Sequence, residues 1–337
     1  KISFPEPLVP RPRRLEVAGR IHAGGQVLTD LDEEGVRKVV RELIEAGVQS
    51  IAVSLLHAYR NPTHERWIGK IIEEMVPGMP ISLSSDVLPE MKEYERTSTT
   101  VVNAYTKPAV NAYLTRLDDR MNAAGTNGEL LLMLSSGGIT AAATAREFPV
   151  QIIESGPAAG ALGAAHYARL AGLDKVLSFD MGGTTAKMCL VKAGRVAKTT
   201  EYEAAHVHRF KRGSGIPVHI PVVDMMEIGA GGGSTAQITQ VGTMQVGPAS
   251  AGADPGPACY GYGGLEPTVS DADLVLGFLD AKHFLGGGMT LDLAASRAVI
   301  DDRLAKPLGL TIDQAAWGIH SIVNENMASA AKVYVTE

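Results

Sequence analysis

An acidic residue, two glycines and two threonines separate two apolar stretches within Leu177–Lys187. The apolar stretches predict strands at Val176–Phe179 and Ala186–Val191, and residues 180–185 predict the turn between them. The chain is therefore predicted to form a β-hairpin here, with Asp180 at the end of its first strand.

The turn of this hairpin has the composition of a phosphate-binding loop. Gly182 and Gly183 have no side chains, so their backbone N–H groups can come close to an anion. Thr184 and Thr185 add hydroxyl donors, and Asp180 can hold a magnesium ion through water. These residues predict phosphate and magnesium binding. The alternative is an ordinary hairpin in which Asp180 caps the turn.

A second candidate anion site lies at Glu154–Gly160, where Ser155 and Pro157 open a predicted alanine-rich helix that runs to Leu170. Free N–H groups and the helix dipole favour an anion at such a helix start, so Ser155 and Gly156 are candidate phosphate contacts. The alternative is a helix cap followed by a face of small residues that packs against another helix.

The third candidate is a loop with four glycines within five residues, which Ser234 follows. Such a loop is either flexible or able to contact phosphate, and the alternative is a purely structural loop. Asp224 and Glu227 precede it and are expected to face the same cleft, with Glu227 as a catalytic residue. The predicted ligand contacts of this loop are Gly231, Gly232, Gly233 and Ser234.

Other polar residues give weaker signals. His206, His208 and His219 could chelate a metal, but no carboxylate or thiolate lies at a telling spacing. Cys259 has no recognisable base that would make it a nucleophile. Ser135–Gly138 ends a predicted buried strand, where it could touch a ligand or form an ordinary turn.

The composition limits the class of protein. The 337 residues are 45% hydrophobic and 20% charged, as in a globular protein with a sizeable core, and they suffice for two domains. A formal net charge of −6 argues against nucleic acid or an anionic membrane surface as a partner. The two cysteines fit a reducing compartment, so we expect a cytoplasmic protein. No apolar run approaches the roughly 18 residues of a membrane span.

Helices and strands alternate in the first half, which predicts an α/β protein with a mostly parallel sheet. The first predicted elements are a helix capped by Asp30 and Glu33, a helix from Thr63 that buries Trp67, and a strand at Ile81–Leu83. A long helix is predicted over Ser98–Met121. It is expected to be interrupted at Pro108 and to have Tyr105 and Tyr113 facing inward. After the hairpin, Val196–Ala204 is predicted as a third strand of a meander.

Several long motifs follow one another along the chain: Glu93–Thr99, Leu134–Gly138, Ser155–Gly160, Phe179–Thr184, Glu227–Ser234, Gly252–Gly261 and Thr268–Asp273. Together they resemble the hydantoinase A/oxoprolinase family, which includes N-methylhydantoinase A subunits and similar subunits of acetone- and acetophenone-type carboxylases. The resemblance covers nearly the whole chain, and several long motifs in one order make it specific.

The resemblance implies an actin-like fold, in which two RNase-H-like domains close on ATP. Residues 1–150 would be part of the first domain, and residues 151–337 the second, with a glycine-rich insertion around 205–270. Asp180 would then lie at the mouth of the cleft between the domains. Family members use ATP to phosphorylate a carbonyl oxygen, after which water opens a cyclic amide or a ketone enolate is carboxylated.

Two departures from the family pattern affect this interpretation. The family has a glycine-rich phosphate turn near each end, and neither is found here, so we expect a chain that is incomplete at both ends and inactive alone. The family turn also commonly ends Thr-Ser-Thr-Asp, whereas this one reads Thr184-Thr185-Ala186-Lys187. A carboxylate is thus replaced by Lys187, which weakens any claim for a second metal ligand and could place a positive charge near the phosphates.

The resemblance therefore implies the A-type subunit of an oligomeric, ATP- and Mg²⁺-dependent cyclic amide hydrolase that works with a B-type subunit or a fused equivalent. The alternatives are a carboxylase subunit with a small ketone substrate and a non-catalytic nucleotide-dependent scaffold. In the implied site Asp180 positions Mg²⁺ and the hairpin turn holds phosphate, while the glycine loop before Ser234 and the helix start at Ser155 line the cleft. The residues of the implied site are Asp180, Gly182, Gly183, Thr184, Thr185, Ser155, Gly156, Glu227 and Gly231–Ser234.

Overall fold

The computed structural model describes residues 5–126, 128–205 and 213–336. Its strands are β1 (Arg20–Ile21), β2 (Val27–Thr29), β3 (Ile51–Val53), β4 (Ile81–Leu83), β5 (Leu131–Met133), β6 (Ile139–Ala141), β7 (Lys175–Met181), β8 (Ala186–Lys192), β9 (Arg195–Val196), β10 (Lys198–Ala204), β11 (Ile216–Val223), β12 (Met226–Ile228), β13 (Ser234–Ile238) and β14 (Met244–Ser250). Its helices are α1 (Glu33–Glu45), α2 (Thr63–Met75), α3 (Ser84–Val87), α4 (Glu93–Ala123), α5 (Ala142–Glu147), α6 (Ser155–Leu170), α7 (Val269–Val275), α8 (Leu293–Ile300), α9 (Lys306–Leu308) and α10 (Ile312–Thr336). This mixture of helices and strands confirms the predicted α/β class.

The chain divides into two compact units. The first contains Lys1–Leu162 and Ala197–Asp224, and the second contains Gly163–Val196 and Met225–Glu337. Residues 197–224 thus return to the N-terminal unit, although they follow the hairpin in sequence. The domain ranges 1–150 and 151–337 stay a prediction.

Two parallel strands, β3 and β4, form the centre of one core in the first unit, with Ile51 opposite Ile81. Helices α1 and α2 pack here, and the buried residues are Val36, Val40, Ile51, Val53, Ile68, Ile71 and Ile72. The α1 cap is Asp32, which accepts a 3.0 Å hydrogen bond from the Gly35 amide, so the predicted Asp30 cap is wrong. The predicted burial of Trp67 is wrong. Its side chain is 43% exposed and lies beside the Lys70 ammonium, because the isoleucines of α2 occupy the buried face of this helix.

Helix α4 is continuous through Pro108, so the predicted interruption is wrong. A proline has no N–H group, which leaves the carbonyl four residues earlier, that of Ala104, without its helical partner. The hydroxyl of Ser50 donates a hydrogen bond of 2.7 Å to this carbonyl. The helix therefore continues because a side chain from another segment replaces the missing donor.

The buried face of α4 is polar, which reverses the predicted orientation of its tyrosines. Tyr105 is 63% exposed and Tyr113 is also exposed. On the opposite face Asn103 donates a hydrogen bond of 2.9 Å to the hydroxyl of Ser82 in β4. The buried polar residues of α4 are Arg96, Thr99, Thr100, Asn103 and Lys107.

The second unit is built on a sheet in which β8 lies between β7 and β12, both antiparallel to it, with the short β9 also paired to β8. One face of this sheet packs against α7, α10 and the segment around α8. The buried residues shared by these elements include Ala186, Met188, Ile228, Ala272, Ile300, Leu304, Ala316, Ile319 and Val323. Helix α10 is thus the main cover of this face.

The predicted meander is correct only at the start of its third strand, where Val196 of the short β9 pairs with Val191 of β8. The segment predicted as its third strand contains β10, which pairs along nearly its full length with β11 in the first unit. β12 takes the place beside β8 instead, with Glu227 opposite Lys187. A strand as long as β10 satisfies more backbone groups with β11 than with the short free edge of β8.

Strand β7 has a partner on one side only within the described residues, where β8 pairs with it. Leu177, Phe179 and Met181 alternate along one face of β7 and are exposed. The strand that carries Asp180 therefore has an open edge and an apolar exposed face.

The prediction of a mostly parallel sheet is wrong for the described residues, among which β3 and β4 are parallel and the other strand pairs are antiparallel. Most of these strands are joined by short turns, and a short turn permits only antiparallel pairing. None of the helices that the structure describes combines the length and the apolar character needed to cross a membrane.

Candidate functional site

The hairpin β7–β8 positions the predicted phosphate turn. Asp180 is exposed near the end of β7, directly opposite Lys187 of β8. The amide of Gly182 donates a hydrogen bond of 2.9 Å to the carbonyl oxygen of Thr185, which closes the turn. The predicted hairpin is thus confirmed, with Asp180 available to solvent.

The second glycine loop packs directly on this turn. The amide of Gly232 donates a hydrogen bond of 3.0 Å to the carbonyl oxygen of Gly182, and the amide of Gly233 donates one of 2.6 Å to that of Gly183. The two segments that the sequence singled out separately therefore form a single backbone arrangement within the second unit.

These hydrogen bonds fix the direction of the remaining amides of the turn. In a trans peptide the C=O and the following N–H point in opposite directions. Because the carbonyls of Gly182 and Gly183 point at the second loop, the amides of Gly183 and Thr184 point away from it. Neither these two amides nor that of Thr185 donates to another residue in the described chain. Three consecutive N–H groups beside an exposed carboxylate are an arrangement that fits a phosphate group.

Gly231 of the second loop and Gly183 of the turn differ in whether packing requires a glycine. A Cβ atom at Gly231 would lie 2.7 Å from the carbonyl oxygen of Gly182 and from the amide of Thr184, so this position requires glycine for packing. A Cβ atom at Gly183 would meet nothing within 4 Å, and Gly183 does not have a positive φ. No contact among the described residues demands glycine at Gly183, so the backbone there is open to the approach of a ligand.

The other side of the second loop is also fully hydrogen-bonded. The carbonyl of Gly232 accepts from the Ser270 amide at 2.7 Å, and that of Gly233 accepts from the Ala251 amide at 2.8 Å. The Gly231 amide donates to the hydroxyl of the buried Ser234 at 3.0 Å. The amides of Gly231, Gly232 and Gly233 are thus already paired within the chain. The loop supports the turn, and direct ligand contact by it stays a prediction.

Three charged side chains lie in a row across the sheet. Asp180 of β7 is opposite Lys187 of β8, and Lys187 is opposite Glu227 of β12. Directly opposed residues of neighbouring strands project on the same face, with Cβ atoms about 4.5–5.5 Å apart. The Lys187 Nζ lies 3.9 Å from Glu227 Oε1. Glu227, predicted as catalytic, is thereby placed on the same sheet face as Asp180.

Ser155 and Gly156 begin helix α6 as predicted, and they belong to the first unit. The preceding Glu154 is buried, and its carboxylate accepts a hydrogen bond of 2.8 Å from the Tyr202 hydroxyl. Its amide donates to the hydroxyl of the buried Ser135 at 3.0 Å. Ser135 therefore organises this helix start, a role that its place at a strand end did not reveal. The assignment of Ser155 and Gly156 to a ligand stays a prediction.

A buried carboxylate behind the second loop was missed by the sequence analysis. Asp271 accepts hydrogen bonds from the amide of Cys259 at 2.8 Å and from the hydroxyls of Thr268 and Ser296, both at 2.7 Å. Thr268 and Asp271 form the capping box of α7, a pattern that the sequence Thr268–Asp271 already contains. Its neighbour Ser270 holds the Gly232 carbonyl, so this helix start supports the glycine loop.

Cys259 and the histidines do not form a second site in the described residues. Burial raises the pKa of the Cys259 thiol to about 12, and the nearby charge of Asp271 adds to the shift. His219 lies in β11 with its Nδ1 3.1 Å from Glu90 Oε2, while His206 and His208 lie outside the described residues. No group of three or more His, Cys, Asp or Glu side chains in the described ranges could hold a metal. A single carboxylate such as Asp180 suits a Mg²⁺ ion whose other ligands are water molecules and phosphate oxygens.

The Glu93–Thr99 motif forms part of the first unit's interior. Arg96 is fully buried and donates hydrogen bonds to the carbonyl oxygens of Glu90 at 2.7 Å and Leu55 at 3.0 Å. Its Nε lies 3.2 Å from the Ser84 hydroxyl, which in turn donates to the buried Glu65. This motif therefore ties α4 to neighbouring loops.

Comparison with known proteins supports the resemblance of these motifs. The model of the hydantoinase/oxoprolinase domain matches residues 96–337, and that of the hydantoinase/oxoprolinase N-terminal region matches residues 1–76. The chain belongs to the hydantoinase/oxoprolinase family. The phosphate turn and six of the seven motifs lie inside residues 96–337, and the Glu93–Thr99 motif begins three residues before that range.

Relatives within the hydantoinase/oxoprolinase family match over almost the whole chain. An uncharacterized protein of Methanocaldococcus jannaschii is 42% identical over 99% of this chain and 49% of its own length. The caprolactamase subunit alpha of Pseudomonas jessenii is 38% identical over 96% of this chain and 45% of its own length. The chain thus spans about half the length of these two relatives.

Solved structures of the family agree in fold. A nucleotide-free structure of acetone carboxylase, described with its ATP-dependent mechanism, matches with a TM-score of 0.83 at 28% identity over 99% of this chain and 46% of that chain. The crystal structure of the ATP-dependent caprolactamase of Pseudomonas jessenii matches with a TM-score of 0.68 at 37% identity over 97% of this chain and 46% of that chain.

Proposed function

We propose that this chain carries the phosphate-binding part of an ATP-dependent hydrolase that opens a cyclic amide of the hydantoin or 5-oxoproline type. The observation that carries the proposal is the turn in which the amides of Gly183 and Thr184 point away from the loop that holds their carbonyls. The exposed carboxylate of Asp180 lies beside these amides.

The proposed roles follow from the geometry of the hairpin. The amides of Gly183, Thr184 and Thr185 hold phosphate oxygens, and the threonine hydroxyls add donors. Asp180 positions Mg²⁺ through water molecules, since magnesium in phosphate sites commonly keeps several of its waters. Glu227, on the same sheet face, orients water near the reacting phosphate. The chain then contributes mostly electrostatic positioning rather than covalent catalysis.

ATP would supply a phosphoryl group to the carbonyl oxygen of the cyclic amide. Phosphorylation of the oxygen makes the carbonyl carbon more electrophilic, so water can add to it. The ring C–N bond then breaks, the nitrogen leaves as an amine that takes a proton, and an acyl phosphate remains. A second water hydrolyses the acyl phosphate, so the overall reaction consumes ATP and two waters and yields ADP, phosphate and the ring-opened carboxylic acid. The ATP dependence of the similar caprolactamase supports this chemistry.

A second candidate is an ATP-dependent carboxylase subunit with a small ketone substrate. The observation that favours it is the structural match to acetone carboxylase, whose TM-score of 0.83 exceeds the 0.68 of caprolactamase. The same turn would serve either reaction, because both begin with activation of a carbonyl oxygen by phosphate. A nucleotide-dependent scaffold without a reaction is the remaining alternative.

The whole protein is proposed to have an actin-like fold of two RNase-H-like domains and to act with a B-type subunit or its fused equivalent, in an oligomer of the cytoplasm. The name of the relative, caprolactamase subunit alpha, supports a partner subunit.

Steady-state turnover by the full-length protein with its partner separates these functions. ADP release would be followed with hydantoin, 5-oxoproline, caprolactam, acetone and acetophenone, each with and without bicarbonate. Release that depends on a cyclic amide and not on bicarbonate supports the hydrolase, and release that needs a ketone with bicarbonate supports the carboxylase. Mg-ATP binding without turnover under any condition would instead support the scaffold.

A further inference from the structure

Lys187 occupies the centre of a row of alternating charge on the sheet. Its neighbours on the two adjoining strands are both acidic, Asp180 on β7 and Glu227 on β12. Strands in a sheet lie about 4.8 Å apart, so the two carboxyl-bearing positions are separated by about 10 Å with the lysine between them. The row ends at the phosphate turn, since Asp180 lies two residues before Gly182.

The lysine is better shielded from water than the glutamate beside it. The Lys187 side chain is 14% exposed and that of Glu227 is 40% exposed, and their charged atoms are 3.9 Å apart. Removing an ammonium from water costs free energy unless a negative charge lies close to it. Salt also screens a partly buried ion pair less than it screens a pair at the surface. The charge of Glu227 therefore lowers the cost of placing the Lys187 ammonium here.

We propose that Lys187 is a positioning residue whose ammonium offsets the negative charge of Glu227 beside the phosphates of the nucleotide. Without the ammonium, two carboxylates and a polyphosphate would lie on one face of the sheet and repel one another. The proposal rests on the proposed function insofar as the ligand of the turn is a nucleotide.

The proposal predicts a specific compensation between two side chains. If Lys187 acts by offsetting Glu227, its removal harms ligand binding only while Glu227 carries its charge. Neutralising Glu227 in the same molecule then restores binding, although it adds a second change to the site. A lysine that merely fills space in the sheet would show no such rescue.

The test uses Mg-ATP calorimetry on the full-length protein with its partner subunit. Lys187→Met keeps most of the side-chain length and removes the charge, and it is expected to weaken Mg-ATP binding about tenfold. Lys187→Arg keeps the charge and is expected to bind within about threefold of the unaltered protein. The double variant Lys187→Met with Glu227→Gln is expected to recover most of the lost affinity.

Lys192→Met is the matched control. Lys192 is also on β8, is exposed, and lies at the end away from the turn, opposite Lys175 and Arg195. Its replacement is expected to leave Mg-ATP binding unchanged. Thermal unfolding of every variant checks that the fold is intact. If Lys187→Met unfolds, Lys187→Gln alone and combined with Glu227→Gln provides the same comparison.

The proposal is overturned if Lys187→Met binds Mg-ATP as the unaltered protein does, or if Glu227→Gln fails to rescue it. Calorimetry requires no turnover, so this result is independent of whether the protein is a hydrolase. An unaltered protein that binds Mg-ATP but turns over no cyclic amide contradicts the proposed function and leaves the role of Lys187 measurable. An unaltered protein that does not bind Mg-ATP overturns both.

Discussion

The amide of Gly233 lies 2.6 Å from the carbonyl oxygen of Gly183, fifty positions earlier in the chain. This hydrogen bond and its neighbour between Gly232 and Gly182 hold two glycine segments face to face. The carbonyls of Gly182 and Gly183 are used in this contact, and the amides of Gly183, Thr184 and Thr185 are left for a ligand. The glycines of the second loop therefore shape the site without having to touch the ligand.

Replacing Gly231 and Gly183 by alanine should separate packing from ligand binding. In Gly231→Ala the new methyl group would overlap the backbone of the turn at 2.7 Å, so we expect a loss of about 1–3 kcal/mol in the free energy of unfolding. In Gly183→Ala the methyl group meets nothing within the chain, so stability should change by less than about 0.5 kcal/mol. Urea denaturation measures both.

The two variants should also differ in the binding of Mg-ATP. Gly183→Ala is expected to weaken binding at least about tenfold, since its methyl group would occupy the approach to the amides. Normal affinity in the stable Gly183→Ala variant would mean that phosphate does not approach this turn. Normal stability of Gly231→Ala would show that the two loops can move apart at little cost.

Asp180→Ala is expected to abolish ATP turnover by the full-length protein while its unfolding free energy stays within about 0.5 kcal/mol of the original. The reason is that Asp180 is exposed at the strand end, where its carboxylate can serve magnesium but adds little to the core. Turnover assays and thermal unfolding measure the two effects. Asp174→Ala, at the exposed start of the same hairpin strand, is the control and should affect neither. A variant that unfolds would indicate that Asp180 only caps the turn.

Asp271→Asn should destabilise the second unit by about 3 kcal/mol or more. The buried carboxylate accepts from backbone amides and hydroxyls together, and an amide group would present N–H donors to some of these donors. Denaturant titration measures the loss, and the exposed Asp254→Asn in the same unit serves as the control with little expected change. Stability equal to that of the control would contradict the role assigned to Asp271.

Cys259 should resist alkylation in the folded protein. An unburied thiol has a pKa of about 8.5, and a higher pKa means less thiolate at any given pH. With the pKa raised to about 12, only about one Cys259 side chain in a thousand would be ionised at pH 9. Iodoacetamide treatment followed by peptide mass spectrometry should find Cys259 unmodified until denaturant is added. Rapid modification of native protein at pH 8 would instead reopen the nucleophile hypothesis.

The parts of the fold that depend on local pattern were predictable. The hairpin around Asp180, strand Ile81–Leu83 and helix Ser155–Leu170 were expected within a few residues, because alternation, helical spacing and turn composition are short-range signals. The family resemblance was also confirmed, since long motifs in a fixed order carry more information than any single residue.

The errors concern contacts between distant segments. Continuity of α4 through Pro108 depends on a hydroxyl from Ser50, and no rule of helix propensity includes such a donor. The pairing of β10 with β11 was missed because strand partners are chosen by length and register, which composition does not encode. The packing of Gly231 on the phosphate turn has the same origin, since glycine composition does not say which backbone approaches which.

The open edge of β7 has a practical consequence for anyone who expresses this chain alone. A second copy could lie antiparallel to the first along β7, satisfying both free rows of backbone groups and covering Phe179 and its exposed neighbours. Such a pairing is favoured by high concentration and stops at a dimer, because each copy offers one open β7 edge and the pair uses both. The strand that presents Asp180 to solvent is thus also the place where two copies can join, and a low protein concentration keeps that strand accessible.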